Sequence, residues 1–64
     1  MATPSAAEIG VLADGIESYR ARLAGLAEPL IGTPQEDLLA ALREAERAAR
    51  SAHRALQIAI KIAS

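Results

Sequence analysis

The stretch Pro29-Leu30-Ile31-Gly32-Thr33-Pro34 divides the chain into two long helical segments. Pro29 lacks a backbone donor and disfavours helical geometry at the residue before it, so the first helix should kink or end there. Gly32 suits the left-handed residue that closes a helix. Thr33 is expected to cap the second helix, with Pro34 as its first residue and Glu36 returning to the Thr33 amide. The sequence predicts an antiparallel two-helix hairpin, with helices at about 5–31 and 34–63.

An earlier start signal opens the first helix, in the segment Thr3-Pro4-Ser5-Ala6-Ala7-Glu8. Ser5 and Glu8 have the spacing of a capping box, in which each side chain satisfies the other's free amide. Pro4 is expected in the first turn, where no backbone donor is needed. The first helix should therefore begin at about residue 5.

Each predicted helix carries an apolar seam at alternating spacings of three and four, the pattern of a heptad repeat. The first seam is bulky: Ile9, Leu12, Ile16, Tyr19, Leu23, Leu26 and Leu30. The second is mostly small: Leu38, Leu42, Ala45, Ala49, Ala52, Leu56, Ala59 and Ala63. We expect Tyr19 to pack in the core, and the bulky seam to fill space left by the alanines in a close antiparallel pair.

The chain is short for a single folded domain, predicted over residues 1–64, because 64 residues rarely bury enough apolar surface alone. It has no cysteine, so disulfides cannot help. Between Leu56 and Ala63 only Gln57 and Lys61 are polar, so that end should be covered by a partner. We expect two hairpins to pair into a four-helix bundle or a larger homo-oligomer. The predicted self-association interface comprises Leu38, Leu42, Ala45, Ala49, Ala52, Leu56, Ala59, Ile60 and Ile62.

Charge and hydropathy lower the prior for nucleic-acid or membrane partners. The formal net charge is −1, so no overall basic field attracts phosphate backbones. The longest stretch without a charge, Pro29 to Gln35, is too short to cross a bilayer, and the N-terminus lacks the pattern of a signal peptide. We expect a soluble cytoplasmic protein, and the alanine- and arginine-rich composition suggests a bacterial source.

Residues that could carry chemistry are few, and we expect no enzyme, catalytic residue, cofactor or metal site. His53 is the only histidine, and no Glu-x-x-His unit of a di-metal bundle occurs. It is interpreted as a half-exposed boundary residue near the helix C-terminus, with a buried proton switch or a ligand across the dimer as the alternatives. Glu44 and Glu46 have the spacing to pair with Arg47 and Arg50 on the same helix.

Three functional hypotheses remain. The first is a non-enzymatic interaction or scaffold module that self-associates through its alanine, leucine and isoleucine seam. The second is a small regulator that binds nucleic acid or an anionic membrane through a basic stripe, consisting of Arg43, Arg47, Arg50, Arg54 and Lys61. The third is an accessory subunit whose seam is completed by a different protein.

Overall fold

The computed structural model describes residues 3–64, which form two helices and no strand. Helix α1 spans Ala6–Ala27, a 3-10 turn spans Glu28–Leu30, and helix α2 spans Glu36–Ala63. The two helices pack against each other as a hairpin, which confirms the all-helical prediction. The molecule measures 50 × 18 × 13 Å. Its smallest dimension is close to the diameter of one helix, so the hairpin is a single layer.

The start of α1 follows the predicted cap in part, because the Ser5 half of the capping box forms, whereas the described residues show no return bond from the Ser5 amide to the Glu8 side chain. The Ser5 Oγ accepts a hydrogen bond of 3.1 Å from the Glu8 amide, and Ser5 has extended backbone angles. Ser5 is therefore the cap itself, and the helix begins at Ala6. Pro4 precedes the cap instead of lying in the first turn, which corrects the expected position.

The turn ends α1 where Pro29 predicts. The α-helix stops at Ala27, and the 3-10 turn closes with a hydrogen bond of 3.3 Å from the Ile31 amide to the Glu28 carbonyl. Gly32 has a φ of 78°, the left-handed conformation expected of it. The expected helix end at about residue 31 is therefore wrong by four residues, and of the two outcomes expected at Pro29, a kink or an end, the structure shows the end.

The predicted cap of α2 is wrong by two residues. Thr33 donates its hydroxyl to the Leu30 carbonyl at 2.6 Å and accepts the Gln35 amide at 3.2 Å. The Thr33 amide also bonds the Leu30 carbonyl, so it is not left for Glu36. Because Thr33 closes the turn, Gln35 takes the cap position and α2 begins at Glu36, not Pro34.

The face that α1 turns towards α2 also differs from the predicted seam. Ala13 and Ala27 are buried, and Arg20 lies midway between them with its side chain 21% exposed. The residues one position before Ala13, Arg20 and Ala27 are much more open. They are Leu12, Tyr19 and Leu26, and each is 63% exposed. The prediction that Tyr19 packs in the hairpin core is therefore wrong. Small residues let the helix backbones approach, and the charge on Arg20 meets Glu46 of α2.

Helix α2 likewise turns a different face towards its neighbour than the predicted seam. Glu46 is only 6% exposed, and Leu39, His53 and Ile60, at intervals of seven residues, are half-buried. Ala45, expected to receive a bulky residue of α1, is instead exposed. The two predicted seams are thus only partly buried in the hairpin: their exposed members include Leu12, Tyr19, Leu26 and Ala45, and their half-buried members are Ile9, Ile16, Leu23, Leu30, Leu42, Ala49, Ala52, Leu56 and Ala59. Among the described residues, only Ala13 and Ala27 form its buried apolar core.

Candidate protein-interaction surface

One broad side of the hairpin is apolar, and we call it the apolar face. It is built from the α1 row, Leu12, Tyr19 and Leu26, and the α2 row, Leu38, Ala45, Ala52 and Ala59. Each row comes one position before the inward-facing residues of its helix. In two antiparallel helices that face each other, the same step along the sequence leads to the same side of the pair. The two rows therefore border one continuous surface.

Half-buried apolar residues form the floor of the apolar face between its two rows. They are Ile9, Ile16, Leu23 and Leu30 from α1, with Leu42, Ala49 and Leu56 from α2. Every position of this floor remains partly open to solvent. The apolar face thus resembles one half of a four-helix core with its covering layer removed.

An open depression of about 390 Å³ lies along α1, lined by Tyr19, Arg22, Leu23 and Leu26. The Arg22 guanidinium carbon is 5.8 Å from the centre of the Tyr19 ring, within the range of a cation–π contact. All four lining residues belong to one helix and are mainly apolar, so the depression suits another side chain better than a reacting substrate.

The opposite side of the hairpin is polar and centres on Glu46. The Glu46 carboxylate accepts a hydrogen bond of 3.0 Å from Arg43 Nη1, and lies 3.6 Å from Arg50 Nη2 and 3.9 Å from Arg20 Nη1. The Glu46–Arg50 pair was predicted from spacing, but the burial of Glu46 was not. The sequence signal for this burial is the interval of seven residues that separates Glu46 from both Leu39 and His53.

Glu17 extends this charged network on α1. Its carboxylate accepts hydrogen bonds from Arg20, the shortest being 2.7 Å. These bonds hold the pKa of Glu17 below its usual value and raise the pKa of Arg20. Desolvation opposes this shift, and the nearby His53 imidazole and Arg50 guanidinium lower the pKa of Glu17 further. Both belong to α2, which places them opposite Glu17 on the polar side of the hairpin.

The predicted basic stripe is partly neutralised by acids of its own helix. Arg43 and Arg50 pair with Glu46, and Arg47 forms the predicted pair with Glu44. Within residues 3–64, Arg54 and Lys61 have no carboxylate within 4 Å. The stripe therefore presents two unpaired cations, not five.

His53 is half-buried, as expected, but it lies in the α2 row that faces α1 and not at the boundary of the helix contact. Its Nε2 lies 3.3 Å from the Gln57 side-chain nitrogen, one turn further along α2. In the part of the chain that the structure describes, no three His, Asp or Glu side chains converge as metal ligands would.

The predicted self-association residues fall into three groups. Leu38, Ala45 and Ile62 are exposed, and Ile60 belongs to the row that faces α1. The others are half-buried on or beside the apolar face: Leu42, Ala49, Ala52, Leu56 and Ala59. The prediction missed Leu12, Tyr19 and Leu26, because all three were assigned to the contact inside the hairpin.

Comparison of the chain with protein-family models, curated proteins and solved structures gives no match. Across residues 3–64, neither helix combines the length and hydropathy needed to cross a bilayer. Inference about function therefore depends on the hairpin's own surfaces.

Proposed function

We propose that this chain is a non-enzymatic helical interaction module that self-associates through its apolar face, acting as a scaffold or as a regulator of a larger assembly. The observation that carries this proposal is the exposure of Leu12, Tyr19 and Leu26 in one row, beside a core whose buried apolar residues are Ala13 and Ala27. Large side chains outside and alanines inside are the reverse of what a stable monomer needs.

The exposed area supports the same proposal. A compact folded protein of 6.7 kDa exposes about 3,900 Å², whereas this hairpin exposes 4813 Å². The excess of about 900 Å² is close to the roughly 800 Å² that each partner buries in an interface of standard size. Covering the apolar face once would thus bring the exposed area to that of a compact protein.

Binding to nucleic acid or an anionic membrane has weaker support. Three of the five residues of the basic stripe already pair with glutamates of the same helix, namely Arg43, Arg47 and Arg50. A role as an accessory subunit would use the same apolar face to bind a different protein. It differs from self-association because the purified chain would not associate on its own.

Sedimentation equilibrium of the purified chain, from low to high micromolar concentration, tests the proposal. We expect a mass of at least twice 6.7 kDa, with helical circular dichroism that weakens on dilution because folding and association are linked. A fully helical monomer across the whole concentration range would overturn the proposal. So would a chain that folds only when a different protein is added.

A further inference from the structure

We propose that the occupant of the apolar face is a second copy related by a two-fold axis parallel to the helices, so that α1 of each copy packs on α2 of the other. This inference rests on the proposed self-association and specifies its geometry. In the resulting dimer the α1 row of one copy contacts the α2 row of its partner. The contact occurs twice, once for each copy.

The register of the two helices within one hairpin determines which residues of α1 and α2 lie at the same height along the helix axes. Arg20 lies level with Glu46, because their side chains meet across the helix contact. Since the helices are antiparallel, each step back along α1 corresponds to a step forward along α2. Counting outward places Leu12 level with Arg54, Tyr19 with Arg47, and Leu26 with Ala40. A rotation about an axis parallel to the helices preserves these heights.

At those heights, each residue of the α1 row meets a notch between four side chains of the partner's α2, as in knobs-into-holes packing. The notch for Tyr19 is formed by alanines alone: Ala45, Ala48, Ala49 and Ala52. Those for Leu12 and Leu26 each contain leucine as well: Ala52, Ala55, Leu56 and Ala59 for the first, and Leu38, Ala41, Leu42 and Ala45 for the second. Tyr19, the largest side chain of the α1 row, thus meets the notch with the smallest side chains.

The other simple two-fold arrangement, with α1 on α1 and α2 on α2, lacks this match. It would place the row containing Leu12 and Tyr19 against its own copy, bulky side chains against bulky ones. The alanines of the two α2 rows would then face each other across a wider gap. Because voids and overpacking both destabilise an interface, matching large rows with small ones is favoured.

Charge at the rim supports the same arrangement. Arg22 extends over the Tyr19 ring at the outer edge of the apolar face. The height relation places it level with Glu44 of the other copy. Opposite charges meet there, in the way that flanking residues of coiled coils select partner and orientation. In the monomer both Arg22 and Glu44 are exposed, and Glu44 also pairs with Arg47 of its own helix, so its carboxylate would be shared between the two arginines.

An Ala45→Glu variant, with Ala40→Glu as its matched control, tests the location of the interface. Both alanines are exposed on α2, but Ala45 lies in the α2 row and Ala40 on the charged side. Ala45→Glu would place a carboxylate in the Tyr19 notch and is expected to halve the mass seen by sedimentation. The control should keep the wild-type mass. Equal masses for Ala45→Glu and the wild-type oligomer would overturn the geometry but not the self-association.

Disulfide trapping tests the pairing of the two rows even if Ala45→Glu unfolds. The chain has no cysteine, so separately purified Leu12→Cys and Ala52→Cys chains carry one thiol each. After mixing and mild oxidation we expect covalent dimer at several times the level formed by either chain alone. No excess in the mixture would overturn the proposed axis. Efficient trapping of Leu12→Cys with Tyr19→Cys chains instead would identify α1 against α1. A monomeric wild type would refute the proposed function as well.

Discussion

The guanidinium of Arg20 lies 3.9 Å from the carboxylate of Glu46, and this ion pair joins the two helices at the middle of their contact. Both side chains are largely withdrawn from solvent, at 21% and 8% exposure. Arg43 and Arg50 complete the environment of Glu46 from its own helix. This pair favours the present register, because sliding either helix by one turn would separate Arg20 from Glu46 and leave each with the partners of its own helix, Glu17 for Arg20 and Arg43 with Arg50 for Glu46.

Removing Glu46 should therefore destabilise the hairpin more than removing an exposed glutamate. Glu46→Ala is expected to lower the free energy of unfolding by about 1–3 kcal/mol, since it leaves partly buried arginines without their acceptor. Glu44→Ala, which breaks an exposed pair, should change it by about 0.5 kcal/mol or less. Urea unfolding at a fixed chain concentration measures both. Equal effects of the two variants would contradict a structural role for the buried carboxylate.

Replacing both members of the buried pair should be tolerated. The double variant Arg20→Leu, Glu46→Leu removes two desolvated charges together, and such exchanges are often neutral or stabilising. We expect its midpoint of thermal unfolding to lie above that of Glu46→Ala, because leucines fill the contact in place of the desolvated charges, although Arg43 and Arg50 still lose Glu46 and Glu17 loses Arg20. Its register should be less well defined, with broader amide NMR signals. A double variant less stable than Glu46→Ala would refute this expectation.

Two glycines should respond to alanine in opposite directions. Gly25 lies within α1, and a Cβ added there meets no atom within 4 Å, so Gly25→Ala should stabilise the helix by about 1 kcal/mol. Gly32 has a φ of 78°, which alanine adopts at a cost of about 1–2 kcal/mol. Thermal unfolding of the two variants at equal concentration should move the midpoint up and down respectively. Shifts in the same direction would contradict the turn described here.

Acid should weaken the contribution of Glu17. Its pKa in the folded state is lowered by the hydrogen bonds from Arg20, so its stabilising effect is complete above the unfolded-state pKa. That effect is lost as the pH falls through the lower folded-state value. Glu17→Gln should flatten the acid limb of the stability curve, and Arg20→Leu should flatten it to a similar degree. An unchanged acid limb in both variants would show that the pair contributes no pH dependence.

Local signals predicted the elements of this fold well. Ser5, Pro29 and Gly32 act through their own backbone or through atoms three residues away, so their effects are visible in the sequence. Thr33 misled the prediction because its hydroxyl can either cap a helix or close a turn. The Leu30 carbonyl that decides between these roles is positioned only after the 3-10 turn has formed.

The rotation of each helix could not be predicted in this way. The apolar arc of α1 is wide enough to include both Ala13 and Leu12, so periodicity alone does not say which of them faces α2. The decision depends on Arg20 meeting Glu46 across the contact, a tertiary pairing with no local signature. Periodicity therefore assigns Tyr19 to the core, whereas in the structure Tyr19 is exposed in the α1 row.

The height relation set by Arg20 and Glu46 also brings the start of α1 and the end of α2 to the same end of the rod, since Ser5 is level with Lys61. The turn at Gly32 occupies the opposite end of a molecule 50 Å long. An axis parallel to the helices would gather the two α1 starts and the two α2 ends of a dimer in one place. Cargo fused to either terminus would then be clustered there, while the two turns project together as a free tip.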